Sequence, residues 1–308
     1  MQKLGEMLQS LPRQVLYLTL FVVATVPLFF KIPLPNNPDP SSIDYYVHLM
    51  QIPADSRVLI CSDWTNGTRG ESMGEFDATV RILMRRGIKF AVYSIGDPQA
   101  PQVARDEIAK LSLEDGGGTT PVFKPYLDYV VMGYFPNGEG QTAAVNTNVL
   151  KAFASKTDAS PQGQRPVVQS PVFQGIKTLA DFPYLVLITP SSTNTIVIER
   201  ITKTPLMFAV TGVMVPENQV YYASGQLKGL LGGIKGVFDM ETLMEYGVNN
   251  PGPHMVSDSR YGPIPGFPGK QNSGKGTAYY PALHLCLGIL ILAVLVGNVG
   301  MWLARKRS

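Results

Sequence analysis

The sequence predicts a three-layer α/β domain with a mostly parallel sheet, carried between two apolar terminal segments. Three observations predict it. Short β-rich apolar runs alternate with longer runs of helical periodicity. The strand candidates are apolar on both faces, as a sheet covered by helices requires. The two ends of the chain hold uncharged stretches of membrane-spanning composition.

Residues 15–30 (VLYLTLFVVATVPLFF) are uncharged and lie between Arg13 and Lys31. A basic flank ahead of an apolar core also fits a cleaved signal peptide. No small-x-small cleavage pattern follows, so residues 14–31 are expected to be a retained signal anchor. Proline and asparagine crowd residues 33–40, which predicts an extended stalk over 32–42. The compact domain is expected over 43–248.

Inside it, residues 57–61 (RVLIC) predict the first strand. A helix over 72–86 follows, with Phe76, Val80, Leu83 and Met84 on one face and Gly87 as its stop. Residues 89–94 (KFAVYS) predict the second strand, and a helix opened by Pro98 or Pro101 runs to Leu111. The third strand is expected at 129–133, with a helix over 142–153. Residues 184–189 (YLVLIT) predict the fourth, with a helix over 193–201. Residues 206–211 (LMFAVT) predict the fifth, and residues 225–246 the final helix. Five strand–helix units with right-handed crossovers predict a Rossmann-like or flavodoxin-like domain. Strand order is not legible at this level.

Residues 249–280 are rich in Pro, Gly and Asn and predict a second, semi-flexible linker. Residues 281–303 then predict a second membrane helix: 282–303 are 22 uncharged residues, followed at once by Arg305, Lys306 and Arg307. At about 1.5 Å per residue this run covers about 33 Å. Of the 26 basic residues, Lys3, Arg13, Arg305, Lys306 and Arg307 sit in the two short ends, against Glu6 alone of the 23 acidic ones. Cytoplasmic flanks favour Lys and Arg, so residues 1–13 and 304–308 are expected inside and the domain outside the cytoplasm, at the plasma or inner membrane.

The two cysteines, Cys61 in a strand and Cys286 in a span, are not placed to pair, so the domain is not a disulfide scaffold. The near-neutral middle carries no basic patch, which argues against nucleic acid.

In parallel sheets, ligands sit beyond the carboxyl ends of the strands. That rule selects Asp63, Trp64, Thr65, Asn66 and Arg69 after the first strand. It also selects Ser191, Ser192 and Thr193 after the fourth, where a helix N-terminus offers N–H groups. These are the candidate ligand-binding residues, although loops use the same residue types for turns and caps. Enzyme signatures do not accompany them. Thr65 stands where aspartyl phosphotransfer needs a second acid, and the chain has no nucleophile elbow and no phosphate-binding glycine motif. The three histidines, His48, His254 and His284, lie away from the candidate loops. No residue is assigned a catalytic role, and no metal or cofactor is expected.

Gly225, Gly229, Gly232, Gly233 and Gly236 stand close together in the expected final helix. Each costs roughly 1 kcal/mol in a helix interior, so a close approach of backbone should offset them. They are read as packing on the chain's own sheet or as an interface with another subunit. Asn298, in the second span, is a candidate for the same kind of contact. The resulting expectation is a non-enzymatic scaffold or accessory subunit of a membrane complex, whose partners are the bilayer and either other membrane subunits or itself. A tethered solute-binding module is the alternative, and a degenerate hydrolase comes third.

Overall fold

The computed structural model describes residues 12–30, 32, 34–252 and 254–305. Within them the chain forms helix α1 (Arg13–Phe29), α2 (Pro40–Gln51), β1 (Arg57–Ser62), α3 (Ser72–Arg85), β2 (Lys89–Ser94), α4 (Ala100–Asp115) and β3 (Tyr129–Tyr134). There follow α5 (Gly138–Thr147), α6 (Val149–Phe153) and a hairpin of β4 (Thr157–Ser160) and β5 (Gly163–Pro166). The chain then forms β6 (Leu185–Thr189), α7 (Thr193–Arg200), β7 (Leu206–Val210), α8 (Val215–Ala223), β8 (Leu227–Gly232), α9 (Gly233–Tyr246) and α10 (Lys275–Arg305).

Six of these strands make one sheet in the order β3-β2-β1-β6-β7-β8, with every neighbouring pair parallel. Counting parallel strands alone, the order is 3-2-1-4-5-6, that of a Rossmann-like fold. Alternation along each strand divides the core in two. Val58, Ile60, Val186, Ile188, Met207 and Leu231 face α2, α3, α4 and α9, while Leu59, Cys61, Leu187, Phe208 and Leu230 face the layer of α5 to α8. The chain changes layers in the long connection from β3 to β6, which places the topological switch point between β1 and β6.

The expected final helix is corrected. Residues 227–232 are not helical but form β8, the sixth parallel strand, and α9 starts only at Gly233. The glycines are used within the chain. A Cβ on Gly229 would lie 2.5 Å from the Tyr45 Cα, so its absence lets the α2 backbone lie against the sheet edge. A Cβ on Gly232 would meet the Val215 side chain at 2.4 Å, and one on Gly236 the Leu231 backbone at 3.2 Å. Gly225 (φ 79°) and Gly233 (φ 54°) hold left-handed conformations, at the end of α8 and the start of α9. Gly229→Ala is therefore expected to cost about 2 kcal/mol or more, because the obstacle is backbone rather than a movable side chain. Chemical denaturation of wild type and variant measures it.

Residues 249–273 are also corrected: they are a strap, not a semi-flexible linker. Val248 and Ile264 exchange backbone hydrogen bonds at 2.9 and 2.8 Å. The Asn249 side chain holds the carbonyls of Asp258 and Tyr261 at 2.6 and 2.8 Å. Arg260 bridges Asp258 and Asp44, and the Tyr222 and Tyr261 hydroxyls also donate to Asp44. Further on, Arg81 and Arg85 both donate to the Gln271 carbonyl. Asp44 lies in α2, which opens before the expected domain start at residue 43, and Tyr45, Tyr46, Val47 and Leu49 of this helix are fully buried.

The two apolar helices form a compact unit separate from residues 36–273. They pack against each other. One helix, Lys275–Leu303, is long and apolar enough to cross a bilayer by length and composition; Arg13–Phe29 is apolar and shorter. The longer helix starts at Lys275, so residues 275–280 are helical rather than linker. Lys3, Glu6, Lys306 and Arg307, on which the orientation argument leans, lie outside the described residues.

Candidate functional site

The carboxyl ends of β1 and β6 flank the switch point, and the first predicted loop leaves from there. The Asp63 amide continues the ladder by donating to the Ile188 carbonyl at 2.9 Å. Its side chain, 3 % exposed, turns toward β2. One oxygen, Oδ1, accepts from the Ser94 hydroxyl at 2.8 Å and from the Ile95 and Gly96 amides at 2.9 Å each. A Cβ at Gly96 would lie 2.8 Å from the Asp63 carboxyl carbon, so only glycine admits this bracket. Asp63 thus ties the end of β1 to the turn after β2. Burial pushes the neighbouring Cys61 thiol well up, with the Asp63 charge adding to the effect.

The other predicted residues divide into separate local networks. Trp64 is 1 % exposed, with its ring tilted on Phe76 at 5.4 Å. Thr65 and Thr68 close a turn on each other, the Thr65 amide donating to the Thr68 hydroxyl at 3.0 Å. Asn66 and Arg69 are exposed. After β6, the Thr189 hydroxyl bonds those of Thr193 at 2.8 Å and Ser191 at 3.1 Å. Ser192 is exposed and precedes α7 without capping it through its side chain. No hydrogen bond joins the Asp63 group to the Ser191–Thr193 group among the described residues. His48 bonds the Tyr184 hydroxyl at 3.0 Å, away from both Ser62 and Ser192. Asn298 is exposed on α10.

The structure adds residues that sequence reasoning missed, on the α3 face of the switch point. Ser62 shares that face with Val58, Ile60 and Trp64, the face that α3 covers. In the first turn of α3, Glu75 lies by Glu71 and Gly233, toward the ends of β7 and β8. There Ser72 and Glu75 are fully buried. Ser62 Oγ, Asp63 Oδ2, Trp64 Nε1 and Ser72 Oγ have no hydrogen-bond partner among the described residues, and the Glu75 carboxyl has only the Gly233 amide beside it. Burial pushes the Glu75 carboxyl well above its ordinary range, and the nearby Glu71 carboxylate raises it further. Glu71 accepts from the Gly212 amide at 2.6 Å and so pins α3 to the end of β7. Buried polar atoms without partners are rare enough that each marks a place where water or a ligand completes the bonding. The i, i+3 spacing of Ser72 and Glu75 was readable in the sequence; that the pair turns inward beneath the strand ends was not.

Comparison of the chain with protein-family models, curated proteins and solved structures finds no match.

Proposed function

We propose that the chain is a two-anchor membrane protein that displays its Rossmann-like domain outside the cytoplasm as a scaffold or accessory subunit of a larger assembly. One observation carries this reading: both segments that lead to the apolar helices are fastened to the same helix, α9. On the N-terminal side, the Asn36 amide donates to the Phe238 carbonyl at 3.2 Å and to the Thr242 hydroxyl at 2.8 Å. The Asp39 amide donates to Asp239 at 3.0 Å, and Lys235 reaches the Asn37 carbonyl at 3.1 Å. On the C-terminal side, Ser273 donates to Glu241 at 2.7 Å and the Gly269 amide to Glu245 at 3.0 Å. A single residue, Gly274, separates Ser273 from the first residue of α10.

A module that captures ligands on a loose tether has no use for two fastened stalks. A scaffold does, because segments already ordered on the domain lose little conformational freedom when a partner binds. The test is the native mass of the full-length protein extracted from its own membrane in mild detergent. A defined oligomer, or stoichiometric co-purifying membrane subunits, is expected. A clean monomer overturns the reading.

The unpartnered atoms of Ser62, Trp64 and Ser72 favour a second reading, a tethered solute-binding module. In that case a small hydrogen-bonding solute would raise the melting temperature of wild type, and Ser72→Ala would abolish the rise.

A further inference from the structure

A concave site lies away from the switch point, at the carboxyl end of the edge strand β3. An open cleft of about 460 Å³ is bounded by the start of α4, by residues 131–134 and by residues 155–157. That volume is within the range of roughly 300–1,000 Å³ typical of small-molecule sites. The register of β3 against β2 shifts just before Tyr134, and Gly133 there has φ 87°. Such a bulge bends the strand end out of the ladder and re-aims the residues beside it.

The charges in the cleft do not cancel. Arg105 spends Nη2 on the buried Asp158 carboxylate at 2.8 Å and on the Val131 carbonyl at 3.4 Å. Asp158 is further held by the Val131 amide at 2.8 Å, so this carboxylate is fully engaged with the edge strand. The Nε and Nη1 groups of Arg105 have no partner among the described residues. Lys156 adds a second cation. Its ammonium lies 4.2 Å from the centre of the Phe135 ring and 3.4 Å from the Tyr134 carbonyl, with no carboxylate partner among the described residues. A ring face and a carbonyl hold an ammonium in place without neutralising it. On the rim, the exposed Asp106 is occupied by the Gln102 amide at 2.8 Å. The cleft therefore presents two cations against one buried anion, with the hydroxyls of Ser155 and Thr157 beside them.

We propose that this cleft binds a small oxyanion of the carboxylate or phosphate class. The free guanidinium N–H groups of Arg105 and the Lys156 ammonium would grip two of its oxygens. Guanidinium and ammonium donors suit such anions because charge-assisted bonds are shorter and stronger than neutral ones. A partly enclosed site also screens them less than open surface does. The proposal does not depend on the scaffold reading.

The test titrates the full-length protein in detergent, at constant ionic strength, with succinate and separately with inorganic phosphate. Saturable binding of at least one, with Kd at or below about 1 mM, is expected. Which one saturates tells whether the natural ligand bears a carboxylate or a phosphoryl group. Lys156→Met keeps the methylene stem over Phe135 and removes the charge, and it is expected to weaken binding about tenfold. Gln102→Glu gives up the exposed bond to Asp106, a small cost to the helix, and it should give a comparable loss by repulsion. Lys203→Gln, which removes an exposed cation from the loop before β7, should leave Kd unchanged. The proposal is overturned if neither anion saturates by about 10 mM, if both cleft variants bind like wild type, or if Lys203→Gln weakens binding equally.

Discussion

Replacing Asp63 with alanine is expected to destabilise the domain by about 3 kcal/mol or more. Three donors converge on one of its oxygens, and the Ile95 amide among them is fully buried. Removing the acceptor leaves these donors desolvated, at roughly 1–3 kcal/mol for each buried group left unpaired. The carboxylate charge strengthens the bonds that are lost. Asp63→Asn keeps an oxygen in the same place and should cost about 1 kcal/mol, provided the amide orients its oxygen toward the turn. The discriminating experiment is chemical denaturation of wild type and both variants. Trp64, buried two residues from the end of β1, supplies a fluorescence signal. A ligand-binding carboxylate behaves differently from a structural one, since its removal leaves stability intact. A loss under about 1 kcal/mol for the alanine variant would falsify the bracket.

Much of the sheet was legible because its signal is local. The β2 run of KFAVYS and the fifth run of LMFAV are continuous apolar strings of strand length, and both are buried strands. The α3 pattern stops at Gly87, which holds φ 68°. What failed depended on contacts distant in sequence. Residues 225–232 carry glycines at helical spacing, yet Gly229 exists to receive the backbone of α2, some 180 positions earlier. Residues 249–273 have the composition of a loose linker, and nothing local signals that Arg260 will find Asp44 or that Gln271 will find Arg81 and Arg85. The β4–β5 hairpin and α8 were missed for the same reason: short polar elements take their conformation from the surface they cover.

The candidate site divides along the same line. Position beyond the strand ends followed from the parallel-sheet rule, and Asp63 and Ser191 do lie there. Role did not follow, because a carboxylate at a strand end serves equally well as a ligand contact or a bracket. Geometry favours the bracket: Asp63 Oδ1 is filled by the chain's own donors, while Asp63 Oδ2, Ser62 Oγ and Ser72 Oγ are buried with no hydrogen-bond partner among the described residues. An acid in a first helical turn ordinarily stays exposed and complements the helix dipole, so nothing local to Glu75 signals its burial.

Glu75→Gln is expected to stabilise the protein, increasingly so as pH rises. Glu75 is fully buried, with Glu71 as its nearest charged neighbour, and its pKa is pushed well above the ordinary value of 4.5. The folded state therefore keeps a proton on Glu75 at pH values where the unfolded chain has already lost it. Where the native state binds more protons, stability falls with rising pH. The loss begins near 4.5, the unfolded value, and ends at the elevated folded value. Its slope is at most about 1.4 kcal/mol per pH unit. Glutamine mimics the neutral acid and does not titrate. Below about pH 4.5 the two proteins should be close to equal in stability. At neutral and mildly alkaline pH the variant should be the more stable, by a margin that widens steadily. Denaturation midpoints across pH 5 to 8, taken for both proteins in the same detergent, give that difference directly. A constant offset would mean that Glu75 is ionised in the fold, its charge held by the Gly233 amide. A widening one fixes it as a neutral acid, buried with a proton to donate.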